Sequence, residues 1–338
     1  MNTLLADVGG TNVRFALADT AARDPLLTAT IRRYRVADFA DFSAAARRYL
    51  TDQNARPRHA VFAFAGPVGG DLVHITNHPW SIDLSRLRAE LELADGLRAI
   101  NDFAAMSHAV CLLRDDDTAR IGVPAPAAVG AAAQQTFAVV GPGTGLGVGA
   151  LVAREGHVDA LSSEGGHLSF APRNEHEIDL LRRLAARFGR VSNERLLCGA
   201  GLVNLYSVLA EIDGVRPDVM QPEDITARAD AGSDPRSVRT VELFCELLGA
   251  VAGDVVLAFA AWDGVYLTGG LTPRLRPWLE RGAFRARFED KGRFAARLAE
   301  VPTVAVLHAD AGLLGCAARA VLDAGGRPQR APVHGAGA

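Results

Sequence analysis

The chain contains a single lysine, Lys291, among 36 basic residues. A nucleotide loop of the GxxxxGK[ST] type needs a lysine inside a run of glycines, so this is not a P-loop protein. Cysteine is also scarce. Cys111, Cys198, Cys245 and Cys316 stand far apart with no CxxC pair, and no signal peptide precedes them. That spacing argues for buried thiols in a reducing cytoplasm rather than a disulfide framework. No run approaches the ~18 apolar residues of a membrane-spanning helix. Positive charge is not in excess either. The net charge is −3, which leaves no basic field to attract nucleic acid or an anionic membrane. What remains is a soluble globular composition, 49% hydrophobic and 22% charged over 338 residues, long enough for two domains.

Glycine supplies the most informative feature. Asp7-Val8-Gly9-Gly10-Thr11-Asn12 follows the apolar run Leu4 to Ala6 and leads into the alternating run Val13 to Leu17, which reads as strand, tight turn, strand. A looser echo, Gly141-Pro142-Gly143-Thr144-Gly145-Leu146-Gly147, follows Phe137 to Val140 and leads into Val148 to Val152. Turns of this composition present backbone N–H groups in a concave array that binds anions, phosphate above all. Two of them suggest two jaws closing on one polyphosphate, with the N–H groups of Gly9, Gly10, Gly143, Thr144 and Gly145 as donors. Arg14, two residues into the following strand, is a further phosphate candidate. The second turn also matches a loose dinucleotide fingerprint, Gly145-x-Gly147-x-x-Ala150, with Glu164 downstream. That motif requires a helix next, and Val148 to Val158 reads instead as a hairpin, so a dehydrogenase is disfavoured.

Elsewhere the periodicity predicts strands over 3–8, 13–18, 29–36, 59–65, 70–75 and 97–100, the fourth and fifth joined by the glycine turn at 66–70. Helices are predicted over 38–49, 84–93 and 103–113. After an Ala/Pro-rich loop at 114–135, strands are expected at 137–141 and 147–161, the second folding back at Glu155-Gly156. Residues 175–300 read as mostly helical, interrupted by a strand at 264–268. A strand at 303–307 and a helix at about 310–322 close the pattern. Interleaved strands and helices imply an α/β architecture, and the paired glycine turns imply an internal duplication.

Three polar groups carry candidate chemistry. Asn101-Asp102 sits at a strand's carboxyl end, where α/β sheets meet ligands and where an aspartate can accept a hydroxyl proton; Asp102 as a helix N-cap is the plainer alternative. Glu164-Gly165-Gly166-His167 sets a carboxylate and an imidazole around two glycines. Ser192-Asn193-Glu194-Arg195 reads as a helix start in which Glu194 serves either a ligand or the helix dipole. A third strand-to-glycine turn, Gly264 to Leu271, suits the adenosine side of a nucleotide.

Taken in order, DVGGTN at 7–12, INDFAA at 100–105, GPGTGLG at 141–147, SSEGGH at 162–167, SNERLLCGAGL at 192–202 and YLTGGL at 266–271 resemble the bacterial glucokinase family. The resemblance implies a two-domain, actin-like (ribonuclease H-like) sugar-kinase fold. Its small domain would span residues 1–109 and recover 310–324, its large domain would span 110–309, and a tail at 325–338 would be disordered. It implies transfer of the γ-phosphate of ATP to the 6-hydroxyl of glucose, the first step of glycolysis, by a cytoplasmic homodimer. Asn101, Asp102, Glu164, His167 and Glu194 match the family's glucose-binding positions, with Asp102 as the base. Ala6, Asp7, Val8, Gly9, Gly10 and Thr11 match its ATP loop. Mg²⁺ is expected near Asp7 through water. No zinc is expected, because no clustered cysteine accompanies His167. Another hexose, such as mannose or an N-acetylhexosamine, and polyphosphate as donor stay open, as does a catalytically silent sugar sensor, against which the intact Asp102 argues.

Overall fold

Period-two alternation assigns each strand a face for two different helix layers. The computed structural model describes residues 2–75, 80–122 and 124–328. In it β1 (Asn2–Val8) and β2 (Asn12–Asp19) form the antiparallel hairpin around the first glycine turn, and β3 (Leu26–Arg35) pairs with β2. Leu4, Ala6, Val8, Val13, Phe15 and Leu17 pack outward against α1 (Phe42–Gln53), whose N-cap Asp41 accepts a hydrogen bond from Ala44 N at 2.7 Å. Leu5, Ala16 and Ala18 face the other way, into the centre of the molecule. A strand buried on both faces reads as the near-continuous apolar run seen in β1.

The sheet is completed by β4 (His59–Phe64), parallel to β1, and then, after β5 (Leu72–His74), β6 (Ser81–Asp83) and α2 (Leu84–Glu90), by β7 (Gly96–Asn101), parallel to β4. Strands 59–65 and 70–75 do not pair with each other as a turn-joined hairpin. Both edges of β4 are taken by β1 and β7, so β5 pairs with β6 in a separate two-stranded ribbon. From β7 the chain enters α3 (Asp102–Ala109).

Past the segment expected to be a loop, which contains the short strand β8 (Thr118–Arg120), the design repeats. β9 (Gln134–Pro142), β10 (Leu146–Arg154) and β11 (His157–Ser163) form a second antiparallel meander. The helices α4 (Glu175–Phe188), α5 (Gly199–Ile212), α6 (Pro222–Asp230) and α7 (Pro235–Phe259) follow. β12 (Gly264–Leu267) then runs parallel to β9, and after α8 (Thr272–Leu279), α9 (Ala283–Glu289) and α10 (Ala295–Ala299), β13 (Thr303–Val306) runs parallel to β12. The chain ends in α11 (Ala311–Asp323). The first sheet has the order β3-β2-β1-β4-β7 and the second β11-β10-β9-β12-β13-β8. Apart from the antiparallel edge strand β8, they share one topology, the duplication implied by the two glycine turns.

The layers follow from the alternation. Phe137 and Val139 face the central core with Tyr266 and Val304, while Ala138, Val140 and Val265 face α4 to α9. Helices α3 and α11 lie between the sheets, and their contact is backbone-close, because a Cβ at Gly315 would overlap the Ala105 carbonyl. Of the tail expected to be disordered, residues 329–338 lie outside the described residues, and Pro328 before them is buried.

Candidate active site

Sequence and turn chemistry bring three glycine turns to the N-terminal end of α3. Asn101 ends β7 and caps that helix: its Oδ1 accepts from Phe103 N at 2.8 Å and Ala104 N at 3.3 Å, and its Nδ2 donates to Gly66 O at 3.1 Å. The cap is therefore Asn101, which leaves Asp102 in the first helical turn with its carboxylate available. Asp102 Oδ1 accepts only a local bond from Phe103 N at 2.9 Å. Burial pushes the Asp102 carboxyl up to about 6, helped by the charges of Asp7 and Glu164 and opposed by the backbone N–H bonds. An acid poised near neutrality is what a general base requires.

The first hairpin presents Asp7 beside this carboxylate. Burial raises the Asp7 pKa, Arg14 opposes the rise, and Asp310 adds to it. Arg14 turns one nitrogen toward Asp7 and the start of α11. Its Nη1 lies 3.6 Å from Asp7 Oδ2 and donates to Ala309 O at 3.0 Å, while Arg33 pairs with Asp310 at 2.8 Å. The turn itself uses one expected donor, since Gly9 N–H bonds to Asn12 O at 3.0 Å.

The second hairpin likewise spends one donor internally, Gly143 N–H on Gly145 O at 2.8 Å. Of the five amides expected to cradle phosphate, those of Gly10, Thr144 and Gly145 find no acceptor among the described residues, whereas Gly9 and Gly143 shape their turns. Glycine is also required here for packing. A Cβ on Gly147 would overlap the Phe103 ring, and one on Gly141 would lie 2.7 Å from it. The residue after Asp102 is thus wedged against the hairpin that holds Thr144. The third turn closes alongside: Gly269 has φ +84, and a Cβ there would sit 2.5 Å from Pro142 O.

Two single-turn helices carry the remaining candidates. Gly165–His167 and Asn193–Arg195 are joined by Asn193 N donating to Leu168 O at 2.8 Å and by the Ser169–Ser192 bridge. His167 stands between two carboxylates, with Nε2 3.7 Å from Glu164 Oε2 and Nδ1 4.0 Å from Glu194 Oε1. Glu194 Oε2 accepts from Leu146 N at 2.9 Å, which returns the chain of contacts to the second glycine turn. A chain of contacts therefore links Glu164, His167 and Glu194 to the second hairpin, while Asn101 and Asp102 stand at the start of α3, where the charges of Asp7 and Glu164 reach Asp102.

Sequence reading missed Phe103 and Asp310. Asp310 had a visible signal: it opens a helix shortly after a parallel strand, as Asp102 does in the first half of the duplication. Phe103 had none, because its role depends on glycines some forty residues away. Among the described residues, no group of three or more His, Cys, Asp or Glu is placed to hold a metal, and no helix is long and apolar enough to cross a membrane.

This geometry has relatives. The family model described as Glucokinase matches residues 4–322. A glucokinase of Xanthomonas euvesicatoria pv. vesicatoria (strain 85-10) is 53% identical over 320 residues, covering 94% of each chain. The crystal structure of a glucokinase from an Antarctic psychrotroph superposes with a TM-score of 0.84 at 33% identity, over 94% of this chain and 98% of that one. In fold alone, the chain also resembles a Balamuthia mandrillaris glucokinase in complex with glucose, with a TM-score of 0.78 at 20% identity over 94% and 93% of the two chains.

Proposed function

The chain belongs to the glucokinase family, and on that premise we propose how its residues phosphorylate glucose with ATP. The observation that carries the reading is the position of Asp102: a carboxylate held at about 6, at the carboxyl end of β7, beside both glycine hairpins. Phosphoryl transfer demands positioning, charge neutralisation and a proton acceptor more than covalent chemistry. Glucose lies against Asn101, Glu164, His167 and Glu194 with its 6-hydroxyl directed at Asp102. Asp102 accepts the hydroxyl proton as the oxygen attacks the γ-phosphorus in line. The new O–P bond forms as the bond to the β,γ-bridging oxygen breaks, and ADP leaves. The free amides of Gly10, Thr144 and Gly145 bind phosphate oxygens, and Ala6 to Thr11 line the nucleotide.

Asp7 would hold magnesium through water: its carboxylate lies beside Asp102 and Asp310, and Arg14 offsets only part of the cost of burying it. When bound, the ion offsets phosphate charge. A site whose buried polar groups match each hydroxyl rejects sugars that leave one unpaired.

We also place residues 1–109 with 310–324 in a small domain and 110–309 in a large one. The packing of α11 on α3, β1 and β4 supports the return of the chain to the first sheet. The setting we propose is the cytoplasm, as a homodimer catalysing the first step of glycolysis; the buried, unpaired state of all four cysteines is in keeping with it.

An ADP-coupled assay tests the reading, run with glucose, mannose and N-acetylglucosamine and with ATP or polyphosphate as donor. ADP release with ATP and glucose is expected, and Asp102→Asn should lower kcat by about 10²–10⁴-fold. No ADP with glucose, or a mutant with near-normal kcat, refutes it.

A further inference from the structure

We infer that the Glu194 carboxylate is shared between the two substrate subsites, so that glucose and nucleotide bind cooperatively through one side chain. The inference rests on the sugar site proposed above and goes beyond it. Oε2 of Glu194 is committed to the nucleotide side, where it accepts from Leu146 N at 2.9 Å, immediately after the Gly143–Gly145 turn. Oε1 faces the sugar side, 4.0 Å from His167 Nδ1, too far for a hydrogen bond and open to a hydroxyl donor.

The approach to the turn is built in. A Cβ on Gly145 would overlap Glu194 Oε2 and lie 3.3 Å from its Cδ, so only glycine lets the carboxylate reach the hairpin. The same segment also holds the turn's other arm, since Gly199 N donates to Gly143 O at 2.9 Å. Without Glu194 the part-buried Leu146 N–H would lose its acceptor, at the cost of an unmet donor. The conformation that leaves the Thr144 and Gly145 amides free for phosphate therefore depends on where this carboxylate sits.

The side chain is 32% exposed, so solvent competes for Oε1 when no sugar is present. A sugar hydroxyl donating to Oε1 fixes the side-chain torsions and with them the Oε2 contact. The ordering is then already complete when nucleotide binds, and linkage makes the effect reciprocal.

Calorimetry with a non-hydrolysable ATP analogue, with and without saturating glucose, tests this. In the unmodified protein glucose should lower the analogue's Kd by about fivefold or more. Glu194→Gln has one acceptor oxygen for two donors, so the ratio should fall towards one. Gly145→Ala lies on the nucleotide hairpin, yet it should weaken glucose binding measured without nucleotide, because its methyl displaces Glu194. Gly145 is not in the left-handed region, so alanine adds no backbone strain. If Gly145→Ala fails to fold, the Gln variant decides alone. A ratio of one in a protein that phosphorylates glucose overturns the coupling and leaves the kinase reading intact. So does an unchanged ratio in Glu194→Gln, or unchanged glucose affinity in a folded Gly145→Ala. Absence of glucose phosphorylation in the unmodified protein overturns the earlier reading instead.

Discussion

At the residue scale, burial gives Asp102 two opposite consequences. As a base it must be ionised, and its carboxyl sits at about 6 against an ordinary 3.8. The kcat/KM for glucose should therefore rise with pH through about 6 and level off above it, with the rise absent in Asp102→Asn. A flat profile between pH 5 and 7 in the unmodified enzyme rules out Asp102 as the titrating base. For stability the sign is reversed. A pKa raised on folding favours the folded state below the unfolded value, and that contribution is lost as pH climbs through about 6. Asp102→Asn should then raise the Tm at pH 8 and leave it nearly unchanged at pH 4. An equal effect at both pH values would show that charge burial is not the cause.

At the scale of elements, the helix pair α3 and α11 carries the site. Asn101 caps α3 and Asp102 opens it. Asp7 rests on the first turn of α11, where a Cβ at Gly312 would lie 2.7 Å from Asp7 Oδ2. The helices cross at Gly315 against Ala105. Gly315→Ala would force them apart, and we expect a loss of about 1–3 kcal/mol. It should appear as a lower urea midpoint with an unchanged m-value. An unshifted midpoint would mean that the crossing relaxes freely. Strands and helices were legible in the sequence wherever a period was sustained, as in β1, β2 and α11. Boundaries were not. The helix expected from residue 38 begins at Phe42 because Asp41 is the cap, and 38 belongs instead to a single 3₁₀ turn. The three-residue strands β6 and β8 are too short for any alternation to register; they exist because β5 and β13 present unpaired edges.

For the whole molecule, two sheets of one topology each present a hairpin turn to the start of α3. Closing the two halves on both ligands would keep water from the phosphate and complete the site. Small-angle scattering should show a smaller radius of gyration with glucose and a non-hydrolysable ATP analogue together than with neither, and an unchanged radius would argue against closure. The duplication was visible in sequence as two glycine turns in like contexts. The central layer was not: the sequence carries no mark that α3 and α11 would lie between the sheets rather than outside them.

Local chemistry was written in the chain alone: glycine turns after apolar strands, a capped helix at Asn101-Asp102, a carboxylate beside two glycines at 164, and a helix start around Glu194. These depend on neighbours a few residues away, and short-range sterics and hydrogen bonds decide them. Folding in three dimensions decided that Arg14 reaches Ala309, that Phe103 seats in the second hairpin, and that Glu194 reaches Leu146. Each of those facts joins residues tens to hundreds of positions apart. Only close packing, where one Cβ more or less determines what can touch, could choose among them.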